Sequence, residues 1–118
     1  MIDIKIIFGI LVLHWIADFL CQTDYMAQNK SKTMNALLLH TVVYTVIWLA
    51  PTIMVMGQTA GWFLLVTLIA HTATDYITSR INSKLWTDKK VHWFFVSIGF
   101  DQLLHYTQLL LTYYLLTK

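Results

Sequence analysis

Residues 35–56 read NALLLHTVVYTVIWLAPTIMVM, a run with no Asp, Glu, Lys or Arg and a single histidine, His40. As a helix rising about 1.5 Å per residue, such a run covers roughly 33 Å, which matches a bilayer hydrocarbon core of roughly 30 Å. Pro51 lies near its end, where a kink or helix end is tolerated. Three further apolar segments flank it, at about residues 4–25, 59–79 and 91–116. Of the 118 residues 58% are hydrophobic and 12% charged, and the mean hydropathy is +0.61. A soluble domain carries about a quarter charged residues. Strands are disfavoured, because a membrane barrel needs many short alternating segments. The chain therefore reads as all-α and integral to a membrane: one domain over residues 1–118, a bundle of four transmembrane helices.

The charges set the expected topology. Lys30 and Lys32 lie in the first connection, Arg80, Lys84, Lys89 and Lys90 in the third, and the connection near residues 57–61 is uncharged. The positive-inside rule puts the two basic connections in the cytoplasm and both termini on the outer side. Trp48 and Trp62 at one end, with Trp86 and Trp93 at the other, read as interfacial belts. A net charge of +2 gives no support to a nucleic-acid partner. Membrane lipids are the expected partners, and the sequence leaves a homo-oligomer open. Cys21 is the only cysteine, which removes an intrachain disulfide and a cysteine-rich zinc motif. The start lacks a basic n-region and a small-residue cleavage site, so the first apolar segment is expected to be retained.

The two halves echo one another. His14-x-x-x-Asp18-Phe19, then Ser31-Lys32, then a span with His40 is followed by His71-x-x-x-Asp75-Tyr76, then Ser83-Lys84, then a span with Asp101 and His105. Two hairpins of like orientation would be related by a pseudo-twofold along the membrane normal.

The repeated residues are the ones that can carry chemistry. His14 and Asp18, His71 and Asp75, and Asp101 and His105 each share a helix face at i, i+4 spacing, and His40 adds an imidazole from the second span. Counted inward from the expected cytoplasmic ends, Asp18, His40 and Asp75 lie roughly 8–9 Å deep, His14, His71 and Asp101 roughly 14–15 Å, and His105 about 20 Å. An unpaired Asp at such depth costs on the order of 2.5–3.5 kcal/mol. No Lys or Arg falls in this band, which leaves protonated Asp, Asp–His pairs or a bound metal as compensation. Imidazole with carboxylate suits a divalent metal, zinc first and manganese or iron as alternatives. Seven ligands fit one ion with supporting carboxylates, or two ions with a bridging carboxylate. Interhelical hydrogen bonding without metal is the plainer alternative. Gln22 and Gln102 adjoin the set. The basic residues beside Ser31 and Ser83 stand where an anionic head group could be received, though topology alone also accounts for them.

The order His14-WIA-Asp18-FLCQTDYMAQ-Asn29-Lys30-Ser31-Lys32, then LLL-His40, His71-x-x-x-Asp75-Tyr76 and Asp101-Gln102-x-x-His105 resembles the domain-of-unknown-function 3307 family, small membrane proteins of bacteria and their phages. The resemblance implies a multi-pass protein of the bacterial inner (plasma) membrane and no particular reaction. The chain is similar, more distantly, to an inner-membrane family taken to be metal-dependent hydrolases and linked to the bacterial DNA-damage regulon, from which its heavy use of Asp departs. The expected function is a metal-dependent membrane hydrolase with one or two ions held by His14, Asp18, His40, His71, Asp75, Asp101 and His105. Asp18 or Asp75 would be the catalytic base, and the substrate a lipid or phosphoester. The alternatives are a small ion or proton transporter or channel-like protein, and a membrane accessory protein with a structural metal.

Overall fold

The computed structural model describes residues 3–118, and among them there are helices and turns and no strand. Helix α1 (Ile4–Trp15) starts at Asp3, whose side chain accepts a hydrogen bond from the Lys5 backbone N–H at 2.8 Å. It runs into a π-helical turn, Ile16–Leu20, where the Cys21 N–H donates to the Ile16 carbonyl at 2.9 Å. That wider turn ends the helix. The first apolar segment is therefore not one helix to Tyr25, as the sequence led us to expect. A separate short helix, α2 (Asp24–Asn29), follows, capped by Thr23 Oγ1 accepting from the Met26 N–H.

Thr33 Oγ1 accepts from the Ala36 N–H and opens α3 (Met34–Met56). Gly57, at φ 59°, ends α3. A left-handed residue there is cheap only for glycine. A single 3₁₀ turn, Gly57–Thr59, leads into α4 (Ala60–Thr87), and a short turn at Asp88 precedes α5 (Val91–Thr117). The second boundary corrects the sequence reading. Residues 80–87 are two further turns of α4, and the third connection shrinks to residues 88–90. Arg80 settles against this extension, its guanidinium 3.8 Å from the Tyr76 ring centroid and donating to the Tyr76 carbonyl.

Helix α4 packs against both α3 and α5, and α1 leans on α5. An apolar cluster of Ile10, Ala17, Tyr44, Trp48, Phe63 and Leu109 fills the interior toward the Gly57 end. Trp48 belongs to it, with its ring 5.6 Å from Phe63, so it is a core residue and not a belt residue; Trp62, Trp86 and Trp93 are exposed as expected. Toward the other end the interior is polar. Among the described residues, the buried set has 12 polar or charged members and 10 apolar ones, while long rows of Leu, Ile, Val and Phe face outward. The helical run Met34–Thr87, which Gly57 divides into α3 and α4, is long and apolar enough to cross a membrane.

Candidate metal centre

All seven sequence-predicted residues are buried, none more than 7% exposed. Helix α3 contributes His40, six residues after its first residue. Helix α4 contributes His71 and Asp75 from one face, and α5 contributes Asp101 and His105. Asp18 comes from the π turn. Such single-turn widenings re-aim a side chain at functional sites.

The residues form two adjoining groups that share Asp75. In the first, Asp18, His40, His71 and Asp75 each offer a ligand atom within 4.8 Å of the other three. His40 Nε2 lies 3.0 Å from Asp18 Oδ1, 3.0 Å from Asp75 Oδ2 and 3.2 Å from His71 Nε2. His71 Nε2 lies 3.2 Å from Asp75 Oδ2 and 3.5 Å from Asp18 Oδ1. A tetrahedral ion with ligands at about 2.0–2.2 Å separates those ligands by roughly 3.3–3.6 Å, and the 3.0–3.5 Å spacings lie within a few tenths of an ångström of that. In the second group, Asp75 Oδ1 and Asp101 Oδ1 lie 3.0 and 3.2 Å from His105 Nε2. Thr78 Oγ1 donates to Asp101 Oδ1 at 2.6 Å and fixes that carboxylate.

The proton count also favours a cation. Asp18 Oδ1 and Asp75 Oδ2, buried oxygens that both face His40, have no hydrogen-bond donor of their own. One imidazole N–H at His40 cannot serve two carboxylates and a second imidazole together. A buried acceptor without a donor costs roughly 1–3 kcal/mol, and a cation among the four ligand atoms removes that cost. The buried cluster can hold a metal ion.

His14 stands beside both groups and in neither. Its Nε2 donates to Gln102 Oε1 at 2.7 Å, so its Nδ1 is the acceptor for the Tyr44 hydroxyl at 2.8 Å; Asp18 Oδ2 is 3.5 Å from Nε2. Tyr44 was not singled out by the sequence. It is fully buried, and its ring lies flat on His71 with centroids 3.8 Å apart. Its i, i+4 spacing from His40 was the available signal. Thr78 was missed for want of any signal beyond its place one turn after Thr74.

Two depth expectations are corrected. His105 and Asp75, expected about 11 Å apart in depth, are in contact, because α4 continues to Thr87 and Asp75 sits about 18 Å from that end at the helical rise. The band is also not free of basic residues. Lys30 Nζ reaches to 3.7 Å from Asp75 Oδ2, because the chain folds back through α2 instead of continuing outward.

A cavity of about 690 Å³ opens beside this cluster, lined by Asp18, Asp101 and Gln102 and by Lys30 and Lys32. His92 and Asp24, at the same end, are exposed.

No curated protein and no solved structure matches the chain. Residues 6–118 match the family described as protein of unknown function (DUF3307). That match covers nearly the whole chain and all seven buried His and Asp residues, so this protein belongs to the DUF3307 family.

Proposed function

We propose that this protein is a dinuclear metal-dependent hydrolase embedded in the bacterial inner membrane, acting on a lipid or other phosphoester at the cytoplasmic side. The observation that carries this is Asp75. One of its oxygens faces His40 and His71, and the other faces His105, as a carboxylate bridging two ions would. The first group offers four ligands. The second offers three, of which Asp101 lines the cavity, and three ligands with one open position is the pattern of a catalytic site.

The inverted burial supports the membrane setting. The most apolar stretch of the run Met34–Thr87 is only 17% buried inside the protein, so its apolar surface needs lipid. Four transmembrane helices arranged as two hairpins account for the repeat. His40 meets Asp18 and His105 meets Asp75 at the same 3.0 Å.

Bound metal would polarise a phosphoryl oxygen and supply a water of lowered pKa. Zinc suits the tetrahedral group best. Both Asp75 oxygens face histidines, which leaves Asp18, at the cavity wall, as the base; its Oδ2 is held only by the long contact to His14. His14, locked between Tyr44 and Gln102, packs beside that carboxylate. The transport alternative is disfavoured because Trp48, Phe63 and Leu109 pack together toward the Gly57 end, where the buried polar residues are the uncharged Thr52 and Thr67.

The test is metal analysis of detergent-purified protein together with hydrolysis of a panel of lipid and soluble phosphoesters. The expected result is about two divalent ions per chain and activity lost with Asp18→Asn. A metal-free wild type ends this reading. Metal without hydrolysis across the panel leaves the structural-metal alternative in its place.

A further inference from the structure

The cavity beside the cluster is lined by polar groups that nothing in the protein satisfies. Ser79 Oγ, on a residue only 7% exposed, has no hydrogen-bond partner, nor do Gln22 Oε1 and Asn82 Oδ1, and all three residues line that cavity. Folded proteins seldom leave buried polar atoms unpaired, and three around one cavity point to a ligand that pairs them. Ser79 offers a hydroxyl donor. The amides of Gln22 and Asn82 present N–H₂ groups after a half-turn of the side chain, since their O and N ends are interchangeable in shape. Lys30 and Lys32 add positive charge at the entrance. Donors and cations together select an anion. Phe19, Trp86 and Phe94 add apolar lining to the same cavity, as an amphiphile would need.

Charge balance sets the kind of anion. Asp18, Asp75 and Asp101 against the single Lys30 leave two negative charges, which one divalent cation neutralises. A second divalent cation leaves two positive charges far from water, the complement of a phosphate dianion. We infer that this cavity is a binding vestibule for a phosphoryl anion, delivered to the metal centre by Lys30, Lys32, Ser79, Gln22 and Asn82. The two-ion charge balance rests on the function proposed above. The unpaired Ser79, Gln22 and Asn82 side-chain atoms and the lysines stand without it.

The test is a titration of the purified protein in neutral-detergent micelles with inorganic phosphate, and separately with dioctanoyl phosphatidate against dioctanoylglycerol, with metal content measured on each sample. Wild type is expected to bind both phosphates saturably and dioctanoylglycerol far more weakly. Lys32→Met and Ser79→Ala should each weaken phosphate about tenfold, the scale of one charge-assisted hydrogen bond, with metal content unchanged. Tighter binding of phosphatidate than of inorganic phosphate identifies a lipid head group as the source, and equal binding a soluble one. Unchanged affinity in both variants, or no saturable phosphate binding by wild type, overturns the inference. If wild type holds no metal, the hydrolase proposal falls alone. The vestibule is then judged on the same titration, where Lys32→Met must still weaken phosphate.

Discussion

Asp75→Asn separates a bridged pair of metal sites from two independent ones. The carboxylate stands 3.0 Å from His40 Nε2 and 3.2 Å from His71 Nε2 through Oδ2, and 3.0 Å from His105 Nε2 through Oδ1. Asparagine keeps the shape. It removes the negative charge and turns an N–H₂ donor toward one of the two groups, where a lone pair is needed. Removing one partner of a buried charge pair costs about 3–5 kcal/mol. That converts to a loss of roughly 200- to 5000-fold in cation affinity. Because the charge is shared, both metal equivalents should weaken together. His105→Ala removes a ligand of the second group alone and should release one equivalent while the other holds. The assay is competition with a chelator of graded strength, with metal per chain read by elemental analysis. Helical circular dichroism and a monodisperse micelle peak show that each variant folds. Asp88→Asn is the control, since the Asp88–Lys84 pair is exposed at 3.5 Å and such pairs contribute little. A folded Asp75→Asn protein that keeps both equivalents within about threefold of wild-type affinity would refute the bridged centre. So would loss of a single equivalent.

Three further outcomes follow from the same geometry. Tyr44→Phe removes the donor to His14 Nδ1, and should lower stability by about 1–3 kcal/mol in thermal or denaturant unfolding and weaken metal binding about tenfold, with an unaltered melt counting against the hydrogen bond. Thr78→Val takes away the 2.6 Å donor to Asp101 and should weaken the more labile metal equivalent about tenfold while sparing the other; equal weakening of both would show that the groups are not distinct. In a Cys21→Ser background, a membrane-impermeant maleimide applied to intact spheroplasts should label Gln58→Cys but reach Lys32→Cys only after permeabilisation, and labelling of both from one side would contradict the hairpin topology.

What the sequence made legible was what one-dimensional patterns encode. The run at 35–56 became Met34–Met56 because Thr33 and Gly57 punctuate its ends, and residues 91–116 became Val91–Thr117 for want of any breaker. The i, i+4 pairs named the cluster, since helical spacing fixes which side chains share a face. The misses came from treating polarity as a helix boundary. Arg80 and Lys84 ended the apolar run but not the helix, since helix propensity does not distinguish basic from apolar straight-chain residues. The depth of Asp75 was then counted from the wrong end. The π turn at Ile16–Leu20 was invisible, because apolar residues run straight through it. The chain folded back to bring Lys30 beside Asp75, and a His14 turned to Tyr44 and Gln102, are three-dimensional facts with no linear trace.

The inverted burial bears on how this fold stands up at all. A soluble protein of this size is stabilised by an apolar core, yet here that core is a small cluster around Trp48 and Phe63, and more than half of the described buried residues are polar, the seven carboxylates and imidazoles among them. Lipid can hold the helices in helical form without holding them to one another, because lipid tails are as apolar as the side chains facing them. What draws the α1 turn, α3, α4 and α5 together at the basic end is therefore the polar cluster, to which each contributes. Without a cation that cluster places three carboxylates around one Lys30, and self-repulsion opposes its assembly. Metal binding and helix association then become one equilibrium, as in other small metal-dependent folds. A bridging Asp75, as proposed, would make it cooperative. The same centre that would carry the proposed chemistry would then also hold the helices together beside the cavity.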